Sequence, residues 1–141
     1  MPEFVGLGVC EKIITADNGT VSLISCLDSY SIPIGPGPVP DKLAVPLQWC
    51  VISLWRRLPS DGDREFEQRV ELVMPNGEVA LAGDMKFKLH HSTYRCMIPQ
   101  VGFPIGQAGE YLVKLSLHEV GSGDWKVLAH YPIRIEHVSA T

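Results

Sequence analysis

Glycine and proline recur along the whole chain and restrict what it can fold into. The 141 residues include 13 glycines and 11 prolines, and the longest stretch free of both runs from Asp84 to Ile98. Both residues disfavour helices, because proline lacks a backbone N–H and glycine loses much conformational entropy on ordering. Little room remains for helices of ordinary length, so we predict an all-β protein. The length fits a single β-sandwich domain over residues 1–141.

The segment 4–27 has the pattern of a β-hairpin around the turn Asp17-Asn18-Gly19. Apolar residues fall on odd positions on both sides of this turn, which is the period of a half-buried strand. If the apolar faces of the two strands match, the register places Ile13 opposite Leu23 and Cys10 opposite Cys26. The register leaves a three-residue loop in which Gly19 takes the left-handed conformation.

Four cysteines stand singly in the sequence, at Cys10, Cys26, Cys50 and Cys96. No C-x-x-C pair suggests zinc or a dithiol redox centre. The register brings Cys10 and Cys26 close enough for a cross-strand disulfide, although two reduced thiols are the favoured interpretation in a reducing compartment.

No other residues suggest a metal site or a cofactor. Asp61 and Asp63 share a polar turn but supply too few oxygens for calcium. His90 and His91 are adjacent, and adjacent side chains of a strand point to opposite faces. We therefore expect no metal and no cofactor.

The middle of the chain predicts a central strand and a stiff connector. Residues 47–55 are apolar on both faces, as in a strand covered on both sides, with Trp49 and Trp55 in the core. The preceding run Pro33–Pro40 is predicted to be an irregular connection between two sheets. Its exposed prolines Pro36, Pro38 and Pro40 are also candidates for a protein-docking strip.

Two patterns describe the second half of the chain. The apolar parity changes near His90 and His91, which predicts one long strand with a bulge. The last hairpin turns at residues 120–124, faces Tyr111 inward, and sets His118 beside Lys126 and His130 beside Lys114 on a mildly basic outer surface. His118 and His130 are candidate binding residues there, including for a pH-sensitive contact.

The spacing of the short strands predicts an antiparallel β-sandwich of seven to eight strands. The run Gly109-Glu110-Tyr111-Leu112-Val113 is similar to the tyrosine corner of immunoglobulin-like domains, with Val113 at the position of the second cysteine and Trp49 as the core tryptophan. The resemblance implies an immunoglobulin-like sandwich without the inter-sheet disulfide.

Nearly end to end, the chain also resembles an uncharacterised bacterial family of small sandwich proteins. The similarity depends on short motifs spread along the sequence: Cys10-Glu11, Ser22-Leu23-Ile24, Asp28, the proline-rich link, Pro75-Asn76-Gly77 and Gly109-Glu110-Tyr111. Membership implies the same fold and no particular activity.

Three classes of function remain open. The favoured hypothesis is a non-catalytic protein-interaction module or small accessory subunit that binds a protein partner or forms a homo-oligomer. The alternatives are a small-ligand-binding sandwich and a thiol enzyme that uses Cys96 with His90 or His91, whose signature would be a lowered Cys96 pKa. The sequence carries no G-x-S-x-G or H-E-x-x-H motif, so we expect no enzyme.

The formal charge of −4 argues against nucleic acid as a partner. The first residues lack the basic and apolar regions of an export signal, and no segment is apolar enough to span a membrane. We expect a cytoplasmic protein without membrane or nucleic-acid partners.

Overall fold

Nine strands and one short 3₁₀ helix, Pro59–Asp61, build the chain over residues 1–139, which the computed structural model describes. The all-β prediction is confirmed. The strands are β1 (Glu3–Thr15), β2 (Val21–Cys26), β3 (Ser29–Ile34), β4 (Ala44–Arg56), β5 (Glu65–Val73), β6 (Val79–Lys88), β7 (Thr93–Pro104), β8 (Gly109–Glu119) and β9 (Lys126–Ser139).

The strands form a four-stranded sheet in the order β2-β1-β4-β7 and a five-stranded sheet in the order β3-β9-β8-β5-β6. The prediction of seven to eight antiparallel strands was wrong in two respects, since there are nine and β3 runs parallel to β9. The missed strand is β3, which contains Pro33. Proline is tolerated there because β3 is an edge strand with one side free of a partner.

The core lies between the two sheets and is rich in aromatic side chains. Trp49, Trp55, Phe66, Phe103 and Tyr111 are each no more than 2% exposed. The predicted central strand is confirmed as β4, which pairs with β1 on one side and β7 on the other. Trp49 and Trp55 lie in the core as predicted.

The hairpin of β1 and β2 has the predicted register. Ile13 pairs with Leu23 and Cys10 pairs with Cys26. Ala16 and Thr20 close a three-residue loop in which Gly19 has a φ of 84°. Cys10 and Cys26 are free thiols.

The connector between β3 and β4 crosses from one sheet to the other, as predicted, although Pro33 and Ile34 belong to β3. Its far end is fixed to the loop after β7. The amide N–H groups of Ile105 and Gly106 both donate to the carbonyl oxygen of Leu43.

The bulge predicted near His90 and His91 was wrong. Both residues lie in the short connection from β6 to β7, and these strands belong to different sheets. The apolar parity changes because the chain crosses the sandwich and begins a new strand.

The last hairpin follows the prediction in part. Tyr111, Val113, Leu115 and Leu117 are fully buried, and Lys114 pairs with His130. The predicted position of His118 beside Lys126 was wrong. A register shift after Leu115 places Leu117 opposite Lys126.

Candidate functional site

The two outer faces of the sandwich differ in chemistry. On the four-stranded sheet, the residues of β4 and β7 that alternate with the core residues are mainly apolar. They pair directly as Cys50 with Pro99, Ile52 with Met97, and Leu54 with Arg95, and we call these six residues together with Val101 the apolar face. Val101 is 74% exposed and Met97 is 44% exposed.

The hairpin of β1 and β2 folds back over part of the apolar face. Its tip is held by Arg95, whose Nη2 donates to the carbonyl oxygen of Gly19 at 2.9 Å. Below the tip, Leu23 Cδ1 and Ile52 Cγ2 lie 2.9 and 3.2 Å from where a Cβ of Gly8 would stand. Leu23 and Ile52 therefore both pack against Gly8, and a Cβ at this position would displace the end of the Leu23 side chain.

Two grooves flank the folded hairpin. One, of about 620 Å³, lies between residues 11–15 of the hairpin and Cys50, Met97 and Val101. The other, of about 550 Å³, lies between Val21 and Leu23 of the hairpin and the sheet residues around Ile52 and Leu54. The hairpin is therefore a ridge on the outer face of the sheet, and residues of the apolar face line the groove on each side of it.

The outer face of the five-stranded sheet is charged instead. Arg69 of β5 makes two hydrogen bonds to Asp84 of β6, at 2.8 and 3.0 Å. This guanidinium holds the pKa of Asp84 below its ordinary value. Lys114 of β8 lies 3.8 Å from Glu71 of β5.

Trp125, in the loop between β8 and β9, packs over this charged surface. Its ring lies 3.9 Å from the ring of His118, and the Arg69 guanidinium carbon lies 4.1 Å from its centroid. His118 Nε2 lies 3.8 Å from the Glu67 carboxylate, and the side chains of His118 and Glu67 are only 13% and 14% exposed. Sequence reasoning missed this cluster, because nothing in the alternation of β5 shows that it pairs with β8.

The candidate residues His118 and His130 thus lie in different surroundings. His118 is largely covered by Trp125, whereas His130 is exposed opposite Lys114. The predicted basic surface was wrong, because Glu67 and Glu71 of β5 lie beside His118 and Lys114. The surface is charge-balanced.

The candidate prolines Pro36, Pro38 and Pro40 are exposed on the connector and line a shallow concavity of about 270 Å³. The end of β3 that leads into the connector pairs with the last residues of β9, where Ile34 lies opposite Ser139. His130 is nine residues earlier on β9, or roughly 30 Å away along the strand. The prolines and histidines therefore belong to separate surfaces.

Cys96 points into the core and is 1% exposed, while His90 and His91 are exposed. Burial raises the pKa of the Cys96 thiol to about 11, against hydrogen bonds from Ser53, Tyr94 and Trp55 that lower it. The shift is opposite to the signature expected of a nucleophilic thiol.

Asp61 is fully buried, and its role is local. Its Oδ2 accepts a hydrogen bond of 2.7 Å from the N–H of Leu58 at the start of the 3₁₀ helix, and its Oδ1 lies 3.3 Å from the amino group of Met1. Asp63 is exposed. Within residues 1–139, no three His, Cys, Asp or Glu side chains are grouped so as to hold a metal ion.

A cleft of about 350 Å³ opens between the edge strands β6 and β7. Val79, Leu81 and Val101 line it together with Lys42 and Glu78. No tryptophan lines this cleft, and the alternative of a small ligand bound inside the sandwich or in a tryptophan-lined cleft stays a prediction. Among the described residues, no helix has the length and apolar character needed to cross a membrane.

No protein-family model and no curated protein matches this sequence. The resemblance to the uncharacterised bacterial family stays a prediction.

Proposed function

We propose that this chain is a non-catalytic protein-interaction module or small accessory subunit with an immunoglobulin-like sandwich. The observation that carries the functional proposal is the contrast between the two outer faces. Met97 and Val101 expose apolar surface beside the grooves of the hairpin, whereas the opposite face is neutralised by its own ion pairs. Among the described strands, six exposed large hydrophobic residues lie on the four-stranded sheet and three on the five-stranded sheet, and exposed apolar surface on a small domain is typical of a protein-binding site.

Strand order supports the immunoglobulin-like part of the proposal. The grouping of β9, β8 and β5 in one sheet and of β1, β4 and β7 in the other resembles the grouping of strands in immunoglobulin domains. At the start of β8, the hydroxyl of Tyr111 donates to the carbonyl oxygen of Gln107 at 2.9 Å, as in a tyrosine corner. One departure is that Trp49 lies on β4, whereas the buried tryptophan of immunoglobulin domains lies on the strand that corresponds to β5.

The partner in this proposal is another protein or a second copy of the chain. The formal charge of −4 gives no attraction to nucleic acid, and we propose a cytoplasmic location with protein partners alone. The docking strip formed by Pro36, Pro38 and Pro40 is a second surface for the same kind of partner.

The test compares two matched surface variants. Val101→Lys places a charge on the apolar face, and Val127→Lys places the same charge at the start of β9, where Val127 is 46% exposed. We expect a protein that co-purifies at fixed stoichiometry, or a homo-oligomer by light scattering, with the wild type and Val127→Lys. The association should be lost in Val101→Lys.

Equal loss in both variants would mean that the apolar face is not the contact surface. A wild-type protein that is monomeric and carries no partner from its native cells would contradict the interaction-module proposal itself. Circular dichroism of each variant shows whether the fold is retained.

A further inference from the structure

Three of the four cysteines lie in one row across neighbouring strands. Cys10 of β1 pairs directly with Cys26 of β2 on one side and with Cys50 of β4 on the other. Directly opposed residues of antiparallel strands project from the same face of a sheet. All three are free thiols, and the central one, Cys10, has no exposed surface, whereas Cys26 is exposed and Cys50 is partly exposed.

Strand spacing decides which of these thiols can join. Opposed residues of an antiparallel pair have Cα atoms about 4.5–5.5 Å apart, within the range that a disulfide spans. Cys26 and Cys50 are separated by the whole width of β1, or about 9–10 Å, which is too far. The thiols of Cys50 and Cys26 both raise the pKa of Cys10, after the larger effect of burial, which agrees with their proximity.

We propose that Cys26, Cys10 and Cys50 form a redox-modification site that reacts with low-molecular-weight disulfides such as glutathione disulfide, with Cys10 as the shared partner of the other two. Cys26 is the point of attack because it is the exposed member of the row. Cys96 lies outside the site, since it is buried in the core and pairs with Ser53.

The chemistry is two successive thiol–disulfide exchanges. The Cys26 thiolate attacks one sulfur of glutathione disulfide, so that a mixed disulfide forms and the first glutathione leaves as a thiolate, which takes up a proton. Cys10, after giving up its proton, attacks the Cys26 sulfur and releases the second glutathione. Two protein thiols are oxidised to one disulfide, and glutathione disulfide is reduced to two thiols.

Cys50 can then exchange the disulfide along the row. Its thiolate attacks the Cys10 sulfur, a Cys10–Cys50 bond forms, and Cys26 leaves as the thiolate and receives the proton from Cys50. The row lies where the hairpin leaves the sheet. A Cys10–Cys26 disulfide would cross-link β1 to β2 at the base of the hairpin, whereas a Cys10–Cys50 disulfide would cross-link β1 to β4. Any effect of these two disulfides on the binding of a protein partner depends on the proposed function, whereas the disulfide chemistry does not.

The test uses the isolated full chain without any partner. The folded protein is incubated with glutathione disulfide, quenched in acid, alkylated, and mapped by mass spectrometry of non-reduced peptides. We expect titratable thiols to fall from four to two, every intramolecular disulfide to contain Cys10, and Cys96 to stay reduced. A Cys26–Cys50 disulfide, or stable mixed disulfides alone, would overturn the proposal.

Three variants test the shared role of Cys10. Cys26→Ser and Cys50→Ser should each retain one intramolecular disulfide, formed by Cys10 and the remaining neighbour. Cys10→Ser should form none, and Cys10→Ala serves if the serine variant does not fold. Retention of an intramolecular disulfide in a folded Cys10 variant would disprove the shared-partner arrangement.

Discussion

The guanidinium of Arg95 on β7 donates a hydrogen bond to the carbonyl oxygen of Gly19, 76 residues earlier in the chain. This bond joins the tip of the β1–β2 hairpin to the far edge strand of the same sheet. The hairpin would otherwise project from the sheet as a two-stranded ribbon, and such ribbons are only marginally stable in water. The fold-back also explains why Ile52, on the outer side of β4, is only 8% exposed.

Replacement of Arg95 by methionine should loosen the hairpin without unfolding the protein. The variant keeps the aliphatic stem but loses the donor to Gly19, so we expect faster amide hydrogen exchange over residues 16–22. The free energy of unfolding should fall by about 1 kcal/mol, as for a single solvent-exposed hydrogen bond. Urea denaturation and hydrogen-exchange mass spectrometry measure the two effects.

The matched control is Arg134→Met on β9. The side chain of Arg134 is 65% exposed, and its guanidinium forms a surface ion pair with Glu136 of its own strand, which contributes little. If exchange over residues 16–22 is unchanged in Arg95→Met, the hairpin must be held by the packing of Leu23 instead.

The core contains a hydrogen-bonded polar group that links the sheets. Ser53 Oγ of β4 donates to Gln68 Oε1 of β5 at 2.6 Å, and Trp55 Nε1 approaches both oxygens, at 3.1 and 3.2 Å. Ser53→Ala should destabilise the protein by about 1–2 kcal/mol, and Gln68→Met by more, because it leaves both the hydroxyl and the indole N–H without this acceptor. Chemical denaturation measures each variant.

The double variant separates coupling from simple packing. Ser53→Ala combined with Gln68→Met should cost less than the sum of the single changes, because it removes a donor together with its acceptor. Additive costs would show that the two side chains do not act as a unit.

Some of the architecture could be predicted from sequence because it is local. The hairpin register follows from period-two alternation and Gly19, and the buried residues of β8 follow from the same period. The contact between Arg95 and Gly19 has no local signal, since it depends on a bend of the hairpin over the sheet.

The wrong predictions share one physical cause: the sequence of a strand does not show which distant strand it pairs with. The parity change near His90 was interpreted as a bulge because nothing local shows that β6 and β7 enter different sheets. The basic surface was predicted from the last hairpin alone, before β5 added Glu67 and Glu71. Trp125 was missed as a site residue for the same reason.

Gly106 offers a test of how firmly the proline-rich connector is fixed. A Cβ at Gly106 would lie 2.1 Å from the carbonyl oxygen of Pro40 and 2.5 Å from that of Asp41. These are backbone atoms that cannot rotate away, so Gly106→Ala should cost about 1–3 kcal/mol and displace the connector. Thermal unfolding and proteolysis of the connector measure the two effects.

Gly83→Ala on β6 is the matched control. A Cβ at Gly83 would meet no atom within 4 Å, and the residue has no positive φ that would strain an alanine. We expect this variant to retain wild-type stability. Equal stability of Gly106→Ala would contradict the close approach of the connector.

The buried thiol of Cys96 should make stability depend on alkaline pH. Its pKa is about 11 in the folded protein, mainly because of burial, against an ordinary value of 9.0. Between these values the unfolded chain loses the proton first and binds fewer protons than the folded protein, so stability falls as pH rises. The contribution is fully present below pH 9 and lost as the pH passes 11.

Under reducing conditions, the stability advantage of wild type over Cys96→Ala should therefore shrink between about pH 8 and about pH 10.5. If the stability advantage of wild type over Cys96→Ala does not change with pH, the thiol has the same pKa in the folded and the unfolded protein, and the prediction is wrong.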